Sequence, residues 1–263
     1  MLRSRTMTVF VRRREHGTER RVADELIVEE PMEIRLDGHL VTTTMRTPGH
    51  DFELATGFLT TDGYLSGAPV QTVRYCATGS AVDSGFNVVT VDTGGRAPIP
   101  TARLTTTTSS CGLCGSASLE TLLDRLSPLP TVAAFDLDVV ASVCERVGTD
   151  QALFRTTGAV HAAVAFDRTG TPAIAREDVG RHNAVDKVVG RLLLDQRLPA
   201  RELGLYVSGR ASFEIVQKAW AAGFGLVVAV SAPTALAVTA AQAGGITLVG
   251  FARRNRMNIY APL

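Results

Sequence analysis

The chain is short of net charge, cysteine and lysine, and each shortage closes off a class of function. Its 27 basic and 26 acidic side chains leave a formal charge of +1 over 263 residues, a balance that does not fit a protein built to coat nucleic acid. Four cysteines, Cys76, Cys111, Cys114 and Cys144, do not make the disulfide framework of a small secreted domain. No apolar run is long enough to cross a bilayer, the stretch Gly225 to Val230 being strand-sized. Residues 1–20 carry several arginines but no apolar segment of signal-peptide length, and read as a basic tail or an early strand over Thr8 to Val11. These absences leave a globular protein with reduced thiols, expected in the cytoplasm. Only Lys187 and Lys218 are lysines. The remaining cations are arginine, whose planar fork suits phosphate and carboxylate, although genomic base composition produces the same bias.

What is present reads as two parts. Residues 21–104 form a small α+β part. Met32 to Leu36 alternates with period two and is followed by Asp37-Gly38, a hairpin signal, and by His39 to Thr44. Asp51 to Thr60 reads as a helix, and Val73 to Cys76 and Phe86 to Val91 as strands. Residues 105–115 form a polar, threonine-rich loop, and residues 116–263 an α/β part. In the latter, Gly158 to Phe166, Leu203 to Val207, Leu226 to Val230 and Ile246 to Gly250 are apolar strands. They alternate with helices over Asp136 to Val147, Asn183 to Leu194, Ala211 to Ala222 and Thr234 to Ala243. Continuous apolar strands between helices predict a sheet with parallel pairs, covered on both faces.

The chemistry concentrates in three places. Cys111-Gly112-Leu113-Cys114-Gly115 puts two thiols in a glycine-flanked loop, just before a helix opened by Ser116 or Ser118. A thiolate near a helix N-terminus has a lowered pKa and a raised reactivity. A zinc cage is not expected, because no second close cysteine pair exists and the histidines are scattered; a nucleobase deaminase would need H-x-E before P-C-x-x-C, and neither occurs. The second place is the set of strand ends, Ser208-Gly209-Arg210, Ser231 with Thr234, and Phe251-Ala252-Arg253-Arg254-Asn255-Arg256. Ligands gather at the carboxyl ends of such strands, and helix N-termini, glycine and arginine there suit a nucleotide or pyrophosphate. The third is the dense run Arg176 to Lys187. There His182 and Asp186 stand four apart, and a solvated helix start with internal ion pairs is one reading. His161 reads as a core or supporting histidine, and Cys76 and Cys144 as inert core residues.

Taken together, Met45 to Gly49, Ser110 to Gly115, Thr157 to His161, Glu177 to Lys187, Ser208 to Lys218, Val230 to Thr234 and Gly250 to Tyr260 resemble the formate dehydrogenase accessory sulfurtransferases, the FdhD family. The resemblance implies a cytidine-deaminase-like three-layer α/β/α domain without deaminase chemistry, a smaller N-terminal α+β domain, and a homodimer. It implies a sulfur carrier that accepts persulfide sulfur from a cysteine desulfurase and passes it to the molybdenum cofactor of formate dehydrogenase. Cys111 would hold the persulfide and Cys114 would resolve or relay it. Phe251 to Arg256 would hold the bis(molybdopterin guanine dinucleotide), with GDP as a partial mimic and no permanently bound cofactor or metal. Two other readings stand beside this one: a dithiol oxidoreductase or redox sensor, and a cofactor chaperone in which the thiols are incidental. Neither nucleic acid nor membrane is an expected partner.

Overall fold

A computed structural model describes residues 4–76, 80–100, 120, 122–131, 134–147, 151–254 and 256–262. The larger sheet contains β7 (His161–Phe166), β8 (Pro172–Asp178), β9 (Gly204–Val207), β10 (Leu226–Ala229), β11 (Thr247–Arg253) and β12 (Arg256–Ala261). Their order across the sheet is β12-β11-β10-β9-β7-β8. Strands β9, β10 and β11 are parallel. β7 runs antiparallel to both β9 and β8, so β8 points the same way as the parallel set.

Successive side chains of a strand point to opposite faces, and here each face has its own core. Ala163, Ala165, Leu205, Val207, Val227, Ala229 and Leu248 pack under α4 (Arg181–Leu194), α5 (Phe213–Ala222) and α6 (Ala235–Gly244). Val164, Phe166, Tyr206, Leu226, Val228 and Val249 pack against Val140, Val143 and Val147 of α2 (Leu137–Val147). The result is a mixed α/β architecture in which the large sheet lies between helical layers. Both faces being buried explains why these strands read as unbroken apolar runs rather than alternating ones.

The smaller sheet, in the order β4-β3-β6-β5, comprises β3 (Glu30–Leu36), β4 (His39–Arg46), β5 (Thr72–Tyr75) and β6 (Val88–Asp92). Asp37 and Gly38 both take positive φ, 48° and 85°, the requirement of the tight turn that their sequence signals. Helix α1 (Asp51–Thr61) buries Leu54, Ala55, Phe58 and Leu59 against this sheet. Its other side lies along α4, which ties the two sheets together.

The segment read as a tail or an early strand is a long ribbon, β1 (Thr6–Glu15) paired antiparallel with β2 (Thr18–Ile27). Its apolar residues are interleaved with arginines, and only the end of the second strand, Leu26-Ile27, reads as a strand in the sequence. Phe10 is 67% exposed, with the Arg21 guanidinium 4.6 Å above its ring. Three elements were not legible in advance: the short helix α3 (Ala152–Thr157), the full length of β8, and the edge strand β12.

Candidate functional site

Because β8 to β11 point the same way, their carboxyl ends share one rim of the large sheet, and β7 begins there with His161. The turns along this rim are joined by main-chain hydrogen bonds. The Ser231 N–H donates to the Gly209 carbonyl at 3.3 Å, the Phe251 N–H to the Ser231 carbonyl at 3.2 Å, and the Thr234 N–H to the Ala211 carbonyl at 3.0 Å. The structure therefore brings Ser208, Gly209, Arg210, Ser231, Thr234, Phe251, Arg253 and Arg256 to one edge. Asn255 lies outside the described residues.

Individual roles differ from the simple expectation of a row of caps and anion ligands. Thr234 caps α6, its hydroxyl accepting from the Ala237 N–H. Ser208 caps no helix: its hydroxyl accepts from the Ala162 N–H at 2.9 Å and fixes β9 against β7. The Arg253 guanidinium donates through Nη1 to the carbonyls of Val230 and Ala252, at 2.7 and 2.8 Å, so part of its capacity closes the β10 turn. Arg254 reaches the α2 side and pairs with Glu145 at 3.2 Å. The Ala252 side chain is buried in the α2-side core, which leaves only its backbone for a ligand. Phe251 is 39% exposed and holds φ at 51°, where the β11–β12 register slips between Gly250 and Arg253. A phenylalanine in the left-handed region is uncommon and costs local strain. Arg210 and Arg256 are exposed.

The run Arg176 to Lys187 is not the solvated helix start that its composition allows. Asp178, Asp186 and Lys187 are buried. The Lys187 ammonium sits 2.6 Å from Asp178 Oδ2 and donates to the Thr47 carbonyl at 2.9 Å. Asp178 also accepts from the Thr47 and Gly180 N–H groups and from Asn183 Nδ2, so a charge removed from water is fully hydrogen-bonded. Glu177 accepts from the Leu153 and Phe154 N–H groups at the start of α3. Arg176 forks onto Glu53 of α1, at 2.5 and 2.8 Å. Burial opposes ionisation of Glu53, but Arg176 and His50 outweigh it and hold the carboxyl down at about 2.

His182 and Asp186 do not pair, because each turns toward a different neighbour. Asp186 accepts from the Thr61 hydroxyl at 2.8 Å and meets the Lys218 ammonium at 2.9 Å. Lys218 also reaches Asp62 at 3.0 Å. Burial raises the Asp186 carboxyl to about 6 despite that cation. Burial works against the Lys218 charge, but Asp186 and Asp62 hold its pKa above the ordinary lysine value. His182 is pushed down to about 4 by burial and then by the charges of Lys218 and Arg181, so its imidazole is neutral near pH 7.

Sequence reasoning placed Arg181 in the dense run without assigning it a role, and read His161 as a core or supporting histidine. Both stand at the rim beside Gly209: a Cβ placed on Gly209 would lie 3.5 Å from His161 Nδ1 and 3.8 Å from Arg181 Cδ. The available signal was positional, since Arg181 opens α4 immediately after β8 and His161 opens β7. Burial, then the nearby Arg181, lowers the His161 pKa.

Cys111 and Cys114 lie outside the described residues, as does the loop over residues 105–115. Downstream, Arg125 donates through Nη2 to the Thr61 carbonyl at 3.0 Å and through Nη1 to that of Asp62. Trp220 Nε1 donates to the Ser127 carbonyl at 2.9 Å. Arg125 is thus tied to the C-terminal end of α1, whose Thr61 and Asp62 also meet Lys218. Cys76 and Cys144 are half-buried, and burial raises the Cys144 thiol pKa.

The FdhD/NarQ family model matches residues 27–262. A sulfur carrier protein FdhD from Mycolicibacterium paratuberculosis is 49% identical over 244 residues, covering 90% of each chain. One of the same name from Nocardia farcinica is 48% identical over 247 residues, covering 90% of this chain and 86% of the relative. The crystal structure of a candidate formate dehydrogenase accessory protein from Desulfotalea psychrophila superposes with a TM-score of 0.77 at 22% identity. It covers 98% of this chain and 97% of that one. This structural likeness bears on the fold.

Proposed function

The chain belongs to the FdhD/NarQ family, and from that premise we propose that it is a sulfur carrier serving a formate dehydrogenase. It takes sulfur from a cysteine desulfurase onto Cys111 and delivers it to a bis(molybdopterin guanine dinucleotide) molybdenum cofactor. The relatives' names support the carrier role. The observation that supports the cofactor end of this reading is the rim, where an exposed aromatic and exposed arginines share one edge.

The sulfur chemistry balances without an external oxidant on loading. The Cys111 thiolate attacks the outer sulfur of the desulfurase persulfide, the S–S bond breaks, and the desulfurase thiolate leaves. For delivery, the Cys114 thiolate attacks the Cys111 sulfur and releases the outer atom as sulfide. The resulting Cys111–Cys114 disulfide then needs a dithiol reductant to reset it. The cargo is held meanwhile by the rim: Phe251 offers a flat apolar face to a guanine ring, and Arg256 with Arg210 offers charge to its phosphates. Homodimerisation and a cytoplasmic location belong to the same proposal. Among the described residues no helix is long and apolar enough to cross a membrane.

The test is intact-mass and peptide mapping after incubation with a cysteine desulfurase and cysteine. A gain of one sulfur on the Cys111 peptide, absent from Cys111→Ala, is expected. A Cys111–Cys114 disulfide with no added sulfur would replace the carrier by a redox protein. Formate dehydrogenase activation by a double cysteine variant would reduce the protein to a cofactor chaperone.

A further inference from the structure

The ribbon of β1 and β2 stands partly free of the body. Its ten paired residues, at about 3.3 Å each, make an arm about 33 Å long, and every residue from Arg12 to Arg21 is exposed. Helix α3 packs beside it, against β2. A two-stranded hairpin with bare faces is marginally stable in water, so this one calls for cover. On one face Met7, Val9, Val11, Val22 and Leu26 follow one another, because Met7 pairs with Leu26 and Val11 with Val22. Met7 and Leu26 are 55% and 42% exposed, and α3 leaves Phe154 48% exposed.

The charges add a second demand. Arg12 stands directly opposite Arg21, and Arg13 opposite Arg20, and like charges placed so weaken a ribbon. Pairs within the chain do little to offset this. Arg12 lies 3.8 Å from Glu19, Arg13 3.6 Å from Asp24 and Arg20 2.9 Å from Glu15, all exposed and each worth little. The charge is also divided along the arm. From Arg12 to Arg21, five arginines stand against Glu15 and Glu19, a net of +3. In the inner half, over Thr6 to Val11 and Val22 to Ile27, the charged residues are Asp24 and Glu25, a net of −2. Arg5, just below the arm, turns into the body beside Glu177 and Asp178.

An arm that is positive at its tip and negative at its root complements a copy of itself laid antiparallel. We propose that the ribbon is the contact between two copies of this chain, the tip of each arm lying against the root of the other. Arg13, Arg20 and Asp24 share the face that carries the valines. With Val11 and Val22 at the two-fold axis, Arg13 and Arg20 of one arm fall on Asp24 of the second copy, and Glu25 lies next to it. The axis repeats every such contact, so one surface serves both copies, and the apolar face of each arm is covered by the other. This surface lies almost wholly ahead of residues 27–262, the stretch that the family model matches. It gives a contact to the homodimer of the function proposed above and draws nothing from the sulfur chemistry.

The experiment is sedimentation velocity on the full chain, on a tip variant (Arg13→Glu with Arg20→Glu), on a root variant (Asp24→Lys with Glu25→Lys), and on an equimolar mixture of the two variants. Circular dichroism confirms the fold of each. The wild type should be a dimer. Either variant alone sets like charges against each other at both ends of the contact, and should lose at least tenfold in dimer affinity. The mixture should recover a dimer, since reversed tip then meets reversed root and native root meets native tip. Wild-type affinity in each variant alone would overturn the proposal, placing the contact elsewhere while the homodimer stands. A mixture of folded variants that stays monomeric would overturn it as well. A monomeric wild type would remove both the surface and the homodimer. Sulfur loading on Cys111, measured in parallel, decides the carrier role whichever way the association falls.

Discussion

Gly57 of α1 and Gly190 of α4 sit against each other's helices with no room for a side chain. A Cβ on Gly57 would fall 1.8 Å from the Asp186 carbonyl oxygen and 2.8 Å from the Gly190 nitrogen, and one on Gly190 would fall 1.8 Å from the Glu53 carbonyl oxygen. The two helices therefore meet backbone to backbone. The contact aligns Glu53 with Arg176, and Thr61 with Asp186, so the charged network of one part is completed by the other.

Gly57→Ala and Gly190→Ala should each destabilise the protein by about 3 kcal/mol or more, above the usual range for overpacking because main chain rather than side chain must move. Urea denaturation followed by tryptophan fluorescence measures this, Trp220 being the single tryptophan. A change below about 1 kcal/mol, the scale of a tolerated core swap, would mean that the helices can separate cheaply.

Lys187→Met should cost about 3–5 kcal/mol, because it strands the Asp178 carboxylate without its cation. Adding Asp178→Leu should recover part of that loss by removing the unpaired charge, although the Thr47 and Gly180 N–H groups then lose their acceptor. A double variant less stable than Lys187→Met would show that those amide bonds outweigh the ion pair.

The pH profile of stability between about 5 and 6.5 should hold two opposing slopes. His182 titrates near 4 in the fold against about 6.5 unfolded, so the unfolded chain binds the extra proton and stability falls as pH drops through this window. Asp186 titrates near 6 in the fold against about 3.9 unfolded, so the folded state binds the extra proton and stability falls as pH rises toward 6. His182→Gln should leave a profile that declines with rising pH, and Asp186→Asn one that climbs. Thermal melts across this range decide it; parallel profiles for the two variants would refute the assignment.

Arg256→Ala should weaken GDP binding by about tenfold with little change in melting temperature, since its side chain is exposed. Arg253→Ala should lower both affinity and melting temperature, because it also removes the bonds to Val230 and Ala252. Calorimetry on both variants checks the difference. Unchanged GDP affinity in Arg256→Ala would take that residue out of the site.

The parallel part of the large sheet was legible because Leu205, Val207, Val227 and Val249 are buried on one face or the other and leave uninterrupted apolar runs. The strand-end residues were legible for the same reason, since the topology fixes where those strands stop. The network around Asp178, Asp186, Lys187 and Lys218 was not. Charges four apart on a helix look solvated in sequence, and their partners, Thr47, Thr61 and Asp62, come from more than a hundred positions away. The ribbon was half legible: Val9 and Val11 alternate, but Arg12 to Arg14 and Arg20 to Arg21 cover its outer half on both faces.

The glycine crossing also bears on what a cut in the chain would do. Pro100 and Glu120 are joined by the stretch that carries the dithiol, yet α1 on one side of it and α4 and α5 on the other are held by packed backbones and buried ion pairs. A protease site engineered between those residues should therefore yield two pieces that stay together through gel filtration and part only in denaturant. Such a nicked protein would show that the fold does not depend on an unbroken connection through the dithiol stretch.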